Sequence, residues 1–417
     1  MKGLLKFAIG TGFLLFYAKN SFAAEINQKE IDLLKQRLTI LEKQVEENQK
    51  SDVTVSLKGA PSFKTLDGNN SFALDGRIMV DAGSTTNKKS SDGKNTIGLR
   101  RFWIGLGGKI DKDWKYRGLV GFENNQTAIA DAWLSYGGFK NLNIIAGNFF
   151  ENNGIEISTP NQYSTFMELS AGVTTFRPIR RTGVSVDPYG DNWGAHFGVF
   201  GSAPNNSATN DKGQGFSGRA HVAPFNEEGH YLHLGVNGTY RTPDASDKSI
   251  RFNSTGDSTI INRTLVDSGK ILNVANYQQY MGEFRYQLQS FTLTSEYIKT
   301  YVNRSDLTNL NFSGGYVMAS YFLTGEKYGY DAKNGTVNRP KIESKGAWEI
   351  ATRYSLVNLN NKDINGGKLN SYEFGVNYYA NNHVKFMMNY IFNRLENSTL
   401  AYKRNPQYLM FRAQVDF

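Results

Sequence analysis

The sequence contains no cysteine, which excludes disulfide bonds and thiolate metal sites. Long apolar runs are nearly absent as well. The run at Phe7–Tyr17 is too short to cross a bilayer as a helix, and no comparable run follows it. If the later chain enters a membrane, it must therefore do so with strands that close into a barrel.

Signatures of catalysis are also missing. The histidines form no H-E-x-x-H pair, and the sequence contains neither a G-x-S-x-G elbow nor a Walker A loop. The segment GLGGK at Gly105–Lys109 falls within a predicted strand. Positive charge is spread along the chain without a nucleic-acid-binding motif. The sequence thus predicts no enzyme, no cofactor and no nucleic-acid partner.

The first residues follow the pattern of an export signal. Lys2 and Lys6 precede the short apolar run, and Ser21-Phe22-Ala23 supplies small residues for cleavage. This order predicts a signal peptide over residues 1–23 and an exported mature protein.

Residues 24–50 are read as a helix with an apolar seam. The seam positions have the a and d spacing of a heptad repeat: Ile31, Leu34, Leu38, Leu41 and Val45. A helix of this length buries too little surface to be stable alone. It either packs on its own domain or joins copies of itself in a short parallel coiled coil, and we favour the coiled coil. Residues 51–70 are read as a linker.

Residues 71–417 alternate between apolar and polar side chains. Segments of about ten residues with one apolar face are typical of transmembrane barrel strands. Sixteen such segments can be counted: 71–81, 97–110, 115–123, 129–136, 142–148, 182–188, 193–201, 215–223, 231–241, 280–288, 291–302, 312–323, 346–359, 371–380, 384–395 and 407–417. The pattern predicts an all-β fold, a sixteen-stranded antiparallel transmembrane β-barrel with an N-terminal periplasmic coiled-coil helix.

A soluble β-sandwich would also alternate, but it would bury its apolar faces. The apolar faces here are rich in aromatic residues, with 23 Tyr and 27 Phe in the chain. No further helix is predicted that could cover them. The barrel is therefore preferred.

Connections are mostly short after even-numbered segments, whereas the long ones follow odd-numbered segments. That asymmetry is typical of the periplasmic and extracellular ends of a barrel. The connection 324–345 is an exception, because it is long and follows an even-numbered segment. The connection 149–181 has no clear period, and we predict that it folds into the barrel as a pore-constricting loop.

Several stretches resemble the phosphate-selective porin O and P family of Gram-negative outer membranes. They include LDGRIMVD at Leu74–Asp81, RRFWIGLGGKIDKDWK at Arg100–Lys115 and GAWEIATRY at Gly346–Tyr354. The resemblance implies a homotrimer of sixteen-stranded barrels in outer-membrane lipid, with the third extracellular loop folded into the pore. It also implies conduction of inorganic anions such as phosphate past an arginine ladder and a lysine cluster at the periplasmic mouth.

The resemblance and the basic residues of the predicted loop together give a candidate anion pathway: Arg77, Arg100, Arg101, Lys115, Arg177, Arg180 and Arg181. Guanidinium groups suit phosphate because their planar fork donates two parallel hydrogen bonds to oxyanions. The two-residue period puts Arg77, Arg101 and Lys115 on the polar faces of their strands. It puts Arg100 off that face, at the rim or beneath it.

Three positions depart from the family's phosphate channels. Where those channels carry lysine, this chain has Ala73, Ile157 and Gln162. An anion-preferring pore is therefore predicted, rather than one specific for inorganic phosphate.

Inward-facing acids nearly balance the inward-facing bases, so selectivity must depend on how the charges cluster. Arg285 and Arg353 either line the pathway or pair with the nearby Glu283 and Glu349. The hypothesis is an outer-membrane porin for passive diffusion of small anions, phosphate or polyphosphate in particular. The alternatives are a general, weakly selective or cation-preferring porin and an outer-membrane structural tether.

Overall fold

The computed structural model describes residues 28–43, 53–57, 59–87, 95–123, 126–177, 180–203, 213–343, 346–396 and 405–417. The predicted signal peptide lies outside them. Residues 28–43 form helix α1, whose side chains are all exposed. Helix α1 belongs to one compact unit, and a second unit holds the barrel. Within the described ranges, no helix is long and apolar enough to span a membrane.

Two short strands, Val53–Ser56 and Ser62–Thr65, come before the barrel. The sixteen barrel strands are β1 (Ser71–Thr85), β2 (Asn95–Ile110), β3 (Trp114–Glu123), β4 (Gln126–Phe139), β5 (Leu142–Phe150), β6 (Arg180–Pro188), β7 (Trp193–Phe200), β8 (Gln214–Val222), β9 (His230–Thr242), β10 (Val274–Leu288), β11 (Phe291–Arg304), β12 (Leu310–Phe322), β13 (Ala347–Asn361), β14 (Ile364–Tyr379), β15 (Val384–Glu396) and β16 (Gln407–Asp416).

Each barrel strand pairs antiparallel with the next one along the chain. The last strand then pairs with the first, from Tyr408 opposite Thr85 to Asp416 opposite Arg77. The sheet is therefore closed and has no free edge. The prediction of sixteen antiparallel strands is confirmed, and each strand overlaps its predicted segment.

The two faces of the strands have opposite chemistry. On β13, Trp348 and Ile350 are 46% and 43% exposed, whereas Glu349 and Arg353 on the inner face are buried. A soluble sandwich would show the reverse. Apolar side chains on the outside and charged ones on the inside are what a barrel in lipid requires.

The connection between β5 and β6 is described over residues 151–177, hereafter the inserted loop, and these residues lie against the inner face of the barrel. The loop contains helix α2 (Ile155–Ser158), a 3₁₀ turn (Asn161–Tyr163) and helix α3 (Ala171–Phe176). Lys385 and Asn377 of the wall donate to the backbone oxygens of Ser164 and Thr165, at 2.7 and 2.8 Å. The wall thus holds the loop by its backbone.

The connection between β9 and β10 also packs inside. It carries a small ribbon, Asn253–Ser254 with Val266–Asp267. Its Phe252 lies between Phe176 of α3 and Phe312 of β12, with ring centroids 5.3 and 5.9 Å apart. Apolar packing between these two loops and the wall formed by β10–β14 fills that side of the barrel.

The connection between β12 and β13, which the sequence singled out as an exception, enters the barrel from the opposite end. It forms a hairpin, Gly329–Asp331 with Thr336–Asn338, hereafter the lower hairpin. Just before this hairpin, the Tyr328 hydroxyl donates to Glu349 at 2.9 Å. Arg219 of β8 donates to the Gly335 oxygen, also at 2.9 Å. This connection is long because it folds into the barrel.

Candidate functional site

Inward-facing charges differ in their exposure around the barrel. On β1 and β3, Asp75, Arg117 and Glu123 retain 35%, 25% and 28% of their side-chain surface. On β14 and β16, Glu373 and Arg412 retain none. The loops pack against the latter strands. On the described strands, the more exposed inward charges therefore gather on β1–β4 and at the start of β6.

Trp103 of β2 stands at the centre of three candidate residues. The guanidinium carbons of Arg77, Arg101 and Arg180 lie 4.6, 5.7 and 5.1 Å from the centroid of its ring. An aromatic face attracts a cation without neutralising its charge. The arrangement, hereafter the tryptophan-centred cluster, concentrates positive charge beside the exposed part of the lumen.

Arg77 makes no salt bridge to any carboxylate among the described residues. Its Nη1 donates to the side-chain oxygens of Asn161 and Gln162 in the inserted loop. Gln162 is one of the positions where the resemblance to phosphate channels implies a lysine. A neutral amide that contacts an arginine therefore takes the place of a second cation there. Ile157, at another of those positions, is buried in the apolar packing.

The expectation that Arg100 lies at the rim or beneath it is wrong. Met79 pairs with Arg101, but the next residue, Val80, pairs with Leu99. Arg100 is thus the extra residue of a β-bulge, which turns two consecutive side chains inward. A strict two-residue period has no place for such an insertion.

Glu168 of the inserted loop accepts hydrogen bonds from one of these two side chains, that of Arg100. Arg100 donates to both of its carboxylate oxygens, at 2.7 and 3.0 Å, and Arg412 of β16 donates to one of them at 3.0 Å. Burial alone would disfavour ionisation, but the charge and hydrogen bonds of Arg100 outweigh it and hold the pKa of Glu168 below its ordinary value. Glu168 ties the loop to β2 and β16 and was missed in the sequence, where it counted only as a loop charge.

Arg177 follows α3 and lies in the same electrostatic environment. Burial lowers its pKa, and the charges of Glu168, Arg100 and Arg180 also act on it. The structure therefore brings Arg77, Arg100, Arg101, Arg177 and Arg180 into one region.

Lys115 and Arg181 lie elsewhere. Lys115 stands directly opposite Lys109 at the end of the barrel with short turns, and both are exposed. Like charges in register repel each other, so this pair raises the positive potential at that mouth. Arg181 is buried and lies 3.1 Å from Glu151, which also pairs with Arg241. This pairing makes Arg181 part of the base of the loop.

Arg353 pairs with carboxylates, but Glu349 is not one of them. Its guanidinium donates to Glu156 of the inserted loop at 3.0 Å and to Glu373 of β14 at 2.5 Å. Asp257, from the loop between β9 and β10, lies 3.5 Å away. Burial raises the pKa of Glu156 although Arg353 opposes the rise. Two of the three partners reach Arg353 only after their loops fold inward, so strand periodicity could not find them.

A closed sixteen-stranded barrel with an apolar exterior, a charged interior and a loop folded inward is an outer-membrane porin. The chain belongs to the phosphate-selective porin O and P family, whose sequence pattern matches residues 72–417. The chain is 26% identical to Porin O of Pseudomonas aeruginosa over 389 residues, which covers 82% of this chain and 87% of that protein. The members of this family are channels, and the protein resides in the outer membrane.

Two solved porins share the fold at low sequence identity. The trimer form of OmpT of Vibrio cholerae has a TM-score of 0.54 at 10% identity, over 84% of this chain and 99% of that one. The anion-selective porin from Comamonas acidovorans has a TM-score of 0.55 at 12% identity, over 84% of this chain and all of that one. At these identities the likeness establishes the fold alone.

Proposed function

We propose that the protein is a trimeric outer-membrane porin that passes small anions by passive diffusion, with phosphate or polyphosphate as the physiological class. The observation that carries the proposal is the tryptophan-centred cluster, in which Arg77 donates hydrogen bonds to neutral amides and faces an aromatic ring, with no salt bridge to a described carboxylate. Rings or columns of basic residues are how anion pores select their ions.

The lysines beyond this cluster suggest the route of an anion through the pore. Lys109 and Lys115 mark the mouth with short turns, which we assign to the periplasm, and the inserted loop would set the narrowest section above them. An anion would pass from the arginines to the lysines along β1–β4. The anion would bind weakly at several sites along this route, and this favours its release as well as its capture.

A general pore with a transverse field is the second candidate. It needs bases on one wall and acids on the opposite wall. Asp75, Glu123 and Asp131 instead share the β1–β4 wall with the arginines, and the first and last of them bind Arg117 and Arg180 directly. This interleaving favours the anion porin over the general one.

The test is the reversal potential of the refolded protein in a planar bilayer under a KCl gradient, compared with that of Arg77→Gln and Arg180→Gln. Removing one charge about 6 Å from the path changes the ion's energy by roughly 0.7 kcal/mol in water, or about threefold in anion entry. Both variants should shift the reversal potential toward the cation side. Block of the chloride current by added phosphate would support phosphate as a solute.

The control is Arg251→Gln, which removes a guanidinium that is 51% exposed and paired with Asp267 at the surface of a loop. Its reversal potential should match that of the wild type. A wild-type pore that prefers potassium, or unchanged selectivity in both cluster variants, would overturn the proposal.

A further inference from the structure

Arg285 of β10 is a buried cation, and no carboxylate among the described residues pairs with it. Its Nε donates to the Tyr231 hydroxyl at 2.7 Å and its Nη1 to the Thr294 hydroxyl at 2.8 Å. Within the part of the chain that the structure describes, no atom accepts a hydrogen bond from its Nη2, which is buried. Glu283, the partner suggested by the sequence, binds Arg219 instead, at 2.9 and 2.7 Å.

The other arginines that are equally buried all have acidic partners. Among the described residues that are 2% exposed, Arg219 binds Glu283, Arg412 binds Asp81, and Arg353 binds Glu373. Arg181 and Arg241 share Glu151. A buried charge is costly unless it is paired. Arg285 therefore lacks the feature that makes burial of the others tolerable.

A cavity adjoins this guanidinium. It lies between the inserted loop and the residues that lead into the lower hairpin, and Arg285, Thr294, Ser164, Thr165 and Tyr328 are among its lining residues. About 30 Å³ is open to the centre of a water-sized sphere. Since a single water needs about 10–15 Å³ by that measure, the cavity has room for one small ion but not for an organic solute.

Acids on the cavity wall are already engaged. Glu156 binds Arg353 and Ser170, and Glu168 binds Arg100 and Arg412. Arg353 also lines the cavity, but Glu156 and Glu373 balance its charge. Besides Arg285, the other polar side chains on the wall are hydroxyls, which can donate to an anion. The chemistry left over is one unpaired guanidinium with hydroxyl donors around it.

We propose that this cavity is a binding site for a single small inorganic anion, which serves as the counter-ion of Arg285 and joins the inserted loop to the lower hairpin. The site goes beyond the proposed function, because it lies behind the loop rather than on the exposed β1–β4 wall. An ion held there would act as a structural part of the channel, whatever ions the pore prefers.

The test uses crystals of the full-length wild-type porin soaked in sodium bromide or in sodium arsenate, with data collected at the absorption edge of each element. An anomalous peak within hydrogen-bonding distance of Arg285 Nη2 is expected. A bromide peak alone identifies a halide site, and an arsenate peak identifies a site for phosphate-like anions. The absence of any peak in both soaks would overturn the proposal.

Arg285→Met keeps much of the side chain's volume and removes its charge. The peak should disappear in this variant and persist in Arg251→Gln. A peak that persists in Arg285→Met would mean an adventitious ion only. If Arg285→Met does not fold, the wild-type maps decide alone.

A solution measurement complements the crystals. The wild type should melt at a higher temperature in chloride than in gluconate at equal ionic strength, because gluconate is too large for the cavity. Equal melting temperatures would contradict the site. The bilayer selectivity measured above is a separate readout, so a cation-preferring pore with an occupied site would overturn the proposed function and leave this inference standing.

Discussion

Trp103 contacts three guanidinium groups, of which Arg180 also pairs with Asp131 and Arg101 lies 3.4 Å from Glu123. Among the described residues, Arg77 has no carboxylate partner. The Trp103 indole N–H donates to Glu123 at 2.6 Å, which fixes the ring, while Arg77, Arg101 and Arg180 surround it. An acidic partner would position an arginine equally well but would cancel its charge. At the scale of the residue, an aromatic face and two neutral amides hold Arg77 in place without cancelling its charge.

Replacing Trp103 with Leu should therefore lower anion preference although no charge is removed. Each cation–π contact at a partly exposed site is worth about 0.5–1 kcal/mol, and its loss would let the arginines spread. The measurement is the reversal potential under a KCl gradient. Trp348→Leu, on the outer face, is the matched control, and an unchanged reversal potential in Trp103→Leu would remove the ring from the filter.

The inserted loop is the element that shapes the lumen, and it is attached by two different means. Glu168 anchors it electrostatically to β2 and β16. Helix α3 anchors it sterically, because Gly172 lies so close to β12 that a Cβ there would be 2.2 Å from the Gly315 nitrogen. One anchor depends on charge and the other on the absence of a side chain.

Gly172→Ala should push α3 off the wall. The close neighbour is backbone and cannot move aside, so we expect a lower melting temperature and an altered single-channel conductance. Gly282→Ala is the control, since a Cβ at that position would meet nothing within 4 Å. Identical conductance and stability in the two variants would show that the contact at Gly172 is not limiting.

Glu168→Gln should destabilise the protein by about 3 kcal/mol at neutral pH, because it leaves buried arginines without a partner. The pKa of Glu168 is lowered in the folded state, so its contribution is complete above the ordinary value of 4.5 and is lost as the pH falls through the folded value. The difference in melting temperature from the wild type should stay constant from pH 7 to about 5.5 and shrink below about 4.5.

The exposed Glu228→Gln, whose side chain is 91% exposed, should show no such difference at any pH. A gap between wild type and Glu168→Gln that narrows already near neutral pH would contradict the lowered pKa.

Much of the element scale was predictable, since the period of two is a direct consequence of lipid on one side and water on the other. This period predicted the positions of all sixteen strands and the inward orientation of Arg77 and Arg101. It failed at Arg100, because one extra residue in β2 reverses the parity on either side of the bulge. It also could not supply the partners of Arg353, because they come from loops whose inward folding is a tertiary event.

At the scale of the whole molecule, helix α1 and the barrel form separate compact units. The seam residues Leu34, Leu38 and Leu41 of α1 are 62%, 58% and 56% exposed in the single chain. An exposed apolar seam of this kind suits association with further copies of the helix.

Deleting residues 26–50 should leave a barrel that folds and conducts, and the proposed trimer should separate at a lower temperature in detergent. The measurement is the temperature at which the trimer band gives way to monomer on a gel. Leu38→Asn, a single change in the seam, should shift it in the same direction. A trimer of undiminished thermal stability in both would assign subunit association to the barrel alone.

The closure between β16 and β1 has a consequence for assembly. The strand that closes the barrel, β16, also carries Arg412. Its guanidinium binds Asp81 of β1, and it also binds the Met167 oxygen and Glu168 of the inserted loop. This contact cannot form until the end of the chain has arrived. Sealing the barrel and completing this anchor of the loop thus depend on the arrival of the same strand, so a barrel that is still open lacks one of the contacts that hold the loop in the pore.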